Sequence, residues 1–340
     1  MKKSGFVLLL CPMLLLAQRA DVTTQMDISR IAFGSCSKQS QTDDQLWSEI
    51  NSSNPDVWIW LGDNIYGDTE DMSIMKEKYD LQKSHPDYQK LLKRSDVIGI
   101  WDDHDYGVND GGKEFPAKEG SKEALFEFLD IDTDHPARKR KGVYQSYTYQ
   151  SDNGNVKVIL LDTRYFRDVL EWENPGTREK RSIANPQGDI LGDAQWAWLE
   201  TQLLDEEIDL FIVASGIQVI PEKHRWEKWA NFPKSRAKLL DLIAKTNAPL
   251  ILLSGDRHLS EISKMNITGY QHPLYEFTSS SLNSPAGKEK DTNQYLIKKK
   301  IHESNFALLS IRWVSNNPVL DIVYQGKGGK VLTEHRIQYQ

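Results

Sequence analysis

The chain has 340 residues and is 39% hydrophobic, enough for one large α/β domain or two smaller ones. Its formal net charge is -7 at pH 7 and it has no long basic run, which argues against a dedicated nucleic-acid surface. Strand and helix patterns alternate without an interrupting linker, so we expect a single domain over residues 18–340.

The N-terminus has the pattern of a secretory signal peptide. Two lysines precede an apolar segment over residues 6–16, and the small residue Ala17 follows it. The apolar segment is too short to cross a bilayer, so no transmembrane span is expected. The pattern predicts a signal peptide over residues 1–17 and a secreted or periplasmic protein. Lipoprotein anchoring at Cys11 is the disfavoured alternative, because the apolar run continues past it. Protein partners are not indicated.

The first half of the chain predicts strands that alternate with helices. The run Val-Trp-Ile-Trp-Leu at 57–61 is short and rich in β-branched and aromatic residues, which favours a buried strand over a helix. After a loose lead-in over 18–29, the patterns predict strands at 30–34, 57–61 and 97–101, and helices at 44–50, within 71–95 with a break before Pro86, and at 121–131.

The second half predicts a hairpin, two more strand and helix pairs, and a tail of strands. A turn at Ser-Asp-Asn-Gly-Asn separates the two hairpin strands, and the charged segment 164–192 is expected to be a loop on a pocket rim. The remaining predicted elements are a helix at 193–204, a strand at 210–214, a helix at 235–244, a strand at 250–253, and strands at 275–282, 306–313, 319–325 and 331–337.

Polar residues that could bind metals follow several of these apolar runs. Carboxylates at the carboxyl ends of buried strands lie where open α/β sheets place their ligand crevice. Mixed oxygen, nitrogen and sulfur donors favour zinc, iron or manganese over a purely calcium site. The candidates are Cys36, Asp63, Tyr66, Asp68, Asp102, Asp103, His104, Asp105, Asp162, Asp256 and His258.

Each of these residues alone also has a structural interpretation. An aspartate after a strand is usually a turn former or a helix cap, and a lone buried cysteine behaves as a small hydrophobe. What favours a multi-metal hydrolase is the recurrence of such residues at four strand ends.

The motifs as a set resemble those of the PhoD-like alkaline phosphatase family, within the calcineurin-type metallophosphoesterases. They are Gly-Ser-Cys at 34–36, Gly-Asp-Asn-Ile-Tyr at 62–66, Trp-Asp-Asp-His-Asp at 101–105, Leu-Leu-Asp-Thr-Arg at 160–164 and Ser-Gly-Asp-Arg-His at 254–258. The resemblance runs from about Arg30 to near the C-terminus. It implies an α/β fold, a four-layer αββα sandwich with two mixed β-sheets, and the strand-rich tail fits the second sheet.

The resemblance also implies a binuclear or larger metal centre. Asp63 would be shared by two metals, and Cys36 and Tyr66 would be anionic ligands of an iron(III)-like ion. Asp103 stands where relatives often use asparagine, which favours a harder second metal such as Ca²⁺. Zn²⁺ and Mn²⁺ are the alternatives. The implied metal ligands are Cys36, Asp63, Tyr66, Asp103, Asp256 and His258.

The implied mechanism is direct attack of a metal-bound hydroxide on phosphorus, without a covalent phosphoenzyme. His104 would donate a proton to the leaving group. Arg164 is the cation expected to hold the phosphate, and a surface salt bridge is its alternative role. The segment 211–219 lacks the histidine that many binuclear phosphatases carry, so Gln218 or a water is the expected substitute.

These features predict a secreted phosphatase or phosphodiesterase that acts on small-molecule phosphate esters. A metallo-hydrolase of another ester class, such as a nuclease or carboxylesterase, is an alternative. A non-catalytic exported metal-binding protein on the same fold is another. The last is disfavoured, because His104 is needed for turnover and not for metal retention.

Overall fold

The structure is a computed structural model that describes residues 21–42, 45–287 and 292–339. The predicted signal peptide, Cys11 and the expected first residue of the 44–50 helix lie outside these ranges.

The described residues form fifteen strands and seven α-helices. The strands are β1 (Val22–Gln25), β2 (Arg30–Gly34), β3 (Val57–Leu61), β4 (Asp96–Ile100), β5 (Gln145–Gln150), β6 (Val156–Leu160), β7 (Glu171–Glu173), β8 (Arg181–Ile183), β9 (Leu210–Ser215), β10 (Leu250–Ser254), β11 (Ser260–Met265), β12 (Leu274–Ser279), β13 (Phe306–Val314), β14 (Asn317–Gln325) and β15 (Val331–Gln338). The helices are α1 (Trp47–Ser53), α2 (Met72–Lys83), α3 (Pro86–Leu92), α4 (Asp103–Tyr106), α5 (Lys118–Phe128), α6 (Gly192–Leu203) and α7 (Pro233–Ile243).

Two large mixed sheets form the centre of the molecule. A seven-stranded sheet has the order β1-β5-β6-β9-β10-β12-β11, and a six-stranded sheet has the order β15-β14-β13-β2-β3-β4. Strands β2, β3 and β4 are mutually parallel, as are β6, β9 and β10. The strands that precede the predicted site therefore lie side by side within each sheet.

Three buried apolar clusters separate four layers of structure. Along β3, Ile59 packs between the two sheets, whereas Trp58 and Trp60 pack against the helices on the opposite face. A third cluster joins the outer face of the seven-stranded sheet to α6 and α7. Central strands are thus covered on both faces, which explains their uninterrupted apolar runs. The predicted αββα sandwich is confirmed.

Several predictions about single elements were wrong or incomplete. The expected loose lead-in contains β1, which pairs in parallel with β5 at the edge of its sheet. Its sequence, Val-Thr-Thr-Gln, buries little on either face and so gives a weak signal. The 164–192 segment, expected as loop, contains the β7–β8 hairpin.

The C-terminal tail also differs from expectation. It was expected to supply the second sheet, but β11 and β12 join the seven-stranded sheet and only β13 to β15 join the six-stranded one. Strand β11 itself was not predicted. Its sequence, Ser-Glu-Ile-Ser-Lys-Met, has no apolar run, and its buried Ser260, Glu261 and Ser263 are hydrogen-bonded to Asn305, Gln218 and Asn293.

The two sheets meet where β3 and β10 end. A Cβ atom on Gly255 would lie 2.5 Å from the carbonyl oxygen of Leu61, so only glycine allows this approach. The loops after β3 and β10 are thereby brought to one place. In the described parts of the chain, no helix is both long enough and apolar enough to cross a membrane.

Candidate metal centre

The first group of possible ligands lies where β2, β3 and β10 end. The Sγ atom of Cys36 is 3.4 Å from Oδ2 of Asp63, and ligand atoms of these two residues and His258 all lie within 4.8 Å of one another. The Tyr66 hydroxyl adds a phenolic oxygen at 3.3 Å from Nε2 of His258. Thiol, carboxylate, imidazole and phenol are thus assembled in one place.

Two further groups adjoin the first and share residues with it. Asp63, Asp103 and His104 form one of them, and Asp102, Asp103 and Asp256 form the other. Asp63 therefore belongs to two groups and Asp103 to two. The structure brings all six predicted metal ligands into one connected cluster, and it adds Asp102, which the family resemblance did not assign.

Four of these residues have left-handed backbone conformations. The φ angles of Cys36, Asp63, Asp256 and His258 lie between 49° and 68°. Residues with a Cβ atom adopt this region at a cost, and such positions cluster at functional sites. Each strand therefore ends abruptly and turns its next side chains toward the cluster.

Asp105 fixes the loop that carries Asp63. Its Oδ1 atom accepts hydrogen bonds from the backbone N–H groups of Asp63 (3.1 Å) and Asp102 (2.7 Å), and its Oδ2 atom accepts one from Asn64 (3.1 Å). A Cβ atom added to Gly62, whose φ is 92°, would lie 2.4 Å from the Cβ atom of Asp102, so a larger residue would not fit between the two loops. Asp105 is thus a structural anchor between two ligand-bearing loops.

Asp162 is also structural in its contacts. It accepts hydrogen bonds from Nε1 of Trp101 (2.8 Å) and from the backbone N–H groups of Val143 and Arg164 (2.9 Å each). Asp162 thus has the structural role of a turn former, which was the alternative to a role as metal ligand.

The cluster is rich in acceptors and poor in donors. Burial raises the pKa of Asp63 well above its ordinary value, and the carboxylates of Asp103, Asp105 and Asp256 raise it further. Burial and then Asp103 raise the pKa of Asp256 to about 7. Among the described residues, Oδ2 of Asp102 and Oδ1 of Asp103 are buried with no hydrogen-bond partner. This donor set fits metal cations, which would satisfy the orphaned oxygens and offset the repulsion.

His104 is held by Asp68 at the edge of the cluster. Its Nδ1 atom lies 2.7 Å from Oδ1 of Asp68. Burial opposes protonation, but the hydrogen bond to Asp68 and the nearby Asp103 carboxylate raise the pKa of His104 to about 9. With Nδ1 engaged, Nε2 is the ring atom that can act on a substrate.

Arg164 does not occupy the position that was expected. It is fully buried, with Nε 2.6 Å from Oδ1 of Asp102 and Nη1 2.5 Å from Oε2 of Glu227, and it is not among the residues that line the cavity. It is therefore neither a direct phosphate contact nor a surface salt bridge. Burial opposes ionisation of Asp103, but the Arg164 guanidinium and His104 hold the pKa of that carboxyl below its usual range.

Gln218 likewise does not replace the missing histidine. Its Nε2 atom donates to Oε1 of Glu261 and to Oγ1 of Thr278, each at 2.7 Å, and it belongs to none of the three ligand groups. These bonds hold it within the buried polar region beside β11 and β12.

The cluster opens into a cavity of about 260 Å³. Asp63, Asp103, His104, Asp256 and His258 line one part of it, and Asn109, Asp110, Lys180, Trp226, Glu227, Arg257 and Ala286 line the rest. Lys180 and Arg257 are cations that the sequence reasoning missed. Arg257 stood inside the Ser-Gly-Asp-Arg-His motif and could have been found there. Lys180 comes from the segment predicted as a pocket rim, but no local pattern distinguishes it.

Two sequence comparisons show what the chain is similar to. The profile of the PhoD-like phosphatase family matches residues 31–336. Alkaline phosphatase D of Bacillus subtilis (strain 168) is 24% identical over 317 residues, covering 78% of this chain and 53% of that protein. The chain thus spans about half the length of this curated relative.

Solved structures show the same fold. The structure of PhoD matches with a TM-score of 0.75 and 17% identity, covering 93% of this chain and 70% of that one. Purple acid phosphatase from yellow lupin (Lupinus luteus) seeds matches with a TM-score of 0.62 and 12% identity, covering 92% of this chain and 54% of that one. At these identities the likeness establishes the fold, two mixed sheets between helical layers.

Proposed function

The chain belongs to the PhoD-like phosphatase family, and on this premise we propose that it is a metal-dependent hydrolase of small-molecule phosphate esters. The observation that carries the proposal is that Asp63 and Asp103, each a member of two ligand groups, connect three groups into one cluster. These groups and His104, which Asp68 orients, adjoin one cavity that two cationic side chains also line. A cation-binding protein without activity would need neither His104 nor the cationic wall.

We assign two kinds of metal to the cluster. Cys36, Tyr66 and His258, with Asp63, would hold an iron(III)-like ion, because thiolate and phenolate are anionic donors. Asp103 and Asp256, with Asp63, would hold a harder ion such as Ca²⁺. Zn²⁺ and Mn²⁺ are the alternatives. When bound, such ions lower the pKa of water and neutralise phosphate charge.

The protein's own residues would complete a direct displacement at phosphorus. Lys180 and Arg257 would attract the phosphate oxygens, and His104 would donate a proton to the leaving oxygen while Asp68 holds its ring. The described residues that line the cavity include no serine or threonine. We propose attack by water without a covalent phosphoenzyme, because Asp63, Asp103, Asp256 and His258 are assigned to metal binding, His104 to proton transfer, and Asp110 is paired with Lys180.

The experiment that tests the function combines metal analysis with three ester assays. Purified full-length protein should contain metal and hydrolyse nitrophenyl phosphate or bis-nitrophenyl phosphate, and a strong chelator should abolish turnover. Hydrolysis of nitrophenyl acetate alone would favour another ester class. Metal without turnover on any ester would favour a binding protein.

We also propose export, on the N-terminal pattern alone. Mass spectrometry of the protein recovered from the periplasm or medium should show loss of about the first 17 residues. Recovery only from the cytoplasm with an intact N-terminus would overturn this part of the proposal.

Substituting Asp68 should slow the chemical step without releasing metal. The Asp68→Asn change keeps the size of the side chain but removes a charge-assisted hydrogen bond to His104, and we expect kcat to fall about 10–100-fold. The fall should be larger for phenyl phosphate than for nitrophenyl phosphate, because the poorer leaving group needs the proton more. The His104→Ala change should cost about 10²–10⁴-fold with the same dependence.

Asp71→Asn is the matched control for this prediction. Asp71 is an exposed aspartate that caps α2, and asparagine caps helices equally well. Its kinetics should match those of the wild type. An equal loss on both substrates, or loss of metal from Asp68→Asn, would contradict the role given to Asp68.

Cys36 and Tyr66 should give the iron-loaded protein a visible colour. Charge transfer from thiolate or phenolate to a ferric ion absorbs visible light, so the band should shift in Cys36→Ser and fall in Tyr66→Phe. Tyr88→Phe is the control, since Tyr88 is buried but bonded to Trp60. A colourless, iron-free and fully active protein would contradict the iron assignment, and intact metals in Cys36→Ala would make the cysteine structural.

A further inference from the structure

Trp226 is unusual among the aromatic residues of this protein. Its side chain lines the cavity and is 42% exposed, whereas Trp47, Trp58, Trp60, Trp101 and Trp229 are fully buried. A single exposed aromatic side chain is common on protein surfaces, but one that lines a cavity is placed to contact a ligand.

The main chain at Trp226 is fixed, and its indole is 42% exposed although the Arg225 guanidinium lies over the ring, 5.1 Å from the ring centroid. The carbonyl oxygen of Trp226 accepts hydrogen bonds from Oγ of Ser182 (2.6 Å) and Nζ of Lys228 (2.9 Å). The N–H group of Ser182 also donates to the carbonyl of Arg225 (2.7 Å). The segment with Trp226 is thus joined to β8, and the indole can present a pre-organised face at little entropic cost.

The β7–β8 hairpin also places the ammonium group of Lys180 at the cavity. The Nζ atom of Lys180, the residue before β8, lies 3.6 Å from the centroid of the Trp172 ring and 3.2 Å from Oδ2 of Asp110. Lys180 and Trp226 both line the cavity, so a positive charge and an aromatic side chain border the same space. This pair suits a ligand with an anionic group and a flat ring.

The size of the cavity sets where such a ring would lie. At about 260 Å³ it is smaller than most pockets that enclose a whole small-molecule ligand. A phosphate group would fill the part next to the metal ligands. The alcohol portion of an ester would then extend to the mouth, where Trp226 lies.

We propose that Trp226 is a stacking platform for a planar ring on the alcohol portion of the substrate. The preferred substrates would be aryl or nucleoside phosphate esters rather than alkyl ones. This inference rests on the proposed phosphoester hydrolysis and names its substrate class.

The test compares two non-hydrolysable ligands that differ in the ring. Calorimetry on the metal-loaded protein should show phenylphosphonate binding about tenfold more tightly than methylphosphonate. That ratio should fall toward one in Trp226→Ala and Trp226→Leu, and Trp226→Phe should keep most of it. Leu204→Ala, at an equally exposed site at the end of α6, should leave the ratio unchanged.

Kinetic ratios then distinguish the source of the ring. Preference for adenosine 5′-monophosphate over ribose 5-phosphate in kcat/KM would identify a nucleobase, and preference only for naphthyl phosphate over ethyl phosphate would identify an aryl alcohol. Both ratios should fall in Trp226→Leu.

Hydrolysis with no ring preference in the wild type, or with a preference unchanged in the folded Trp226→Phe and Trp226→Leu variants, would overturn this inference alone. Failure to hydrolyse any phosphate ester would overturn the proposed function and this inference with it.

Discussion

Replacing Asp63 by alanine should release metal and abolish phosphate-ester hydrolysis. Asp63 is 1% exposed and is shared by two of the three ligand groups. Its Oδ2 atom lies 3.4 Å from Sγ of Cys36, and its Oδ1 atom accepts a hydrogen bond from the backbone N–H group of His104 (3.3 Å). The loss should exceed the roughly 10–100-fold that follows removal of an outer-shell partner, because two metals would lose one ligand each.

Elemental analysis and kcat/KM, measured on the same preparation, check this prediction. Asp63→Asn keeps the shape of the side chain and removes its charge, so it should retain more metal than Asp63→Ala. Asp96→Ala, at an exposed position at the start of β4, is the control and should keep both metal and activity. Full metal content in a folded Asp63→Ala protein would refute the shared role.

The Arg164→Ala change should lower the free energy of unfolding by about 3–5 kcal/mol. It leaves Asp102, which is fully buried, without its ion-pair partner, and it removes one of two partners of the buried Glu227. Arg167, with Nε 2.8 Å from Oε1 of Glu227, offsets part of the loss. Burying an unpaired carboxylate is far more costly than losing an exposed pair.

Denaturant unfolding of the metal-free protein, followed by circular dichroism, measures this loss, because a metal beside Asp102 would compensate part of its charge. The control is Arg312→Ala, which breaks an exposed pair with Asp321 and should cost at most about 1 kcal/mol. Adding Asp102→Asn to Arg164→Ala should recover part of the lost stability, since it removes the uncompensated charge. Unchanged stability with a raised KM would instead restore Arg164 as a phosphate contact.

Features that depend on a short local sequence pattern could be predicted from the sequence. Strands such as β3 could be predicted because both faces are covered and the apolar run is uninterrupted. Edge strands β1 and β11 could not, since β1 buries little on either face and β11 has polar residues at three of its four buried positions. The ligand cluster could be predicted because each short motif contains candidate metal ligands, and parallel strands place the motifs at the same edge of the sheet.

The predictions that failed depend on contacts between residues that lie far apart in the chain. Arg164 follows a strand as the other candidates do, but its two carboxylate partners are 62 and 63 residues away. No periodicity links Arg164 to Glu227, so its burial could not be foreseen. The cavity lining is similar, because Lys180 and Trp226 are 46 residues apart and their segments are joined by hydrogen bonds between the β7–β8 hairpin and residues 225–226.

Four of the proposed ligands have a left-handed backbone conformation, which lowers the stability of the metal-free fold while it positions their side chains for metal binding. Each such position costs on the order of 1–3 kcal/mol, whereas glycine adopts these angles freely. Variants selected for the thermal stability of the metal-free protein would therefore drift toward glycine at Cys36, Asp63, Asp256 and His258 and lose their metals, whereas selection with metal present would retain the ligands, because bound metal stabilises the fold. Retention of side chains there measures how strongly selection maintains the metal site against the preference of the fold.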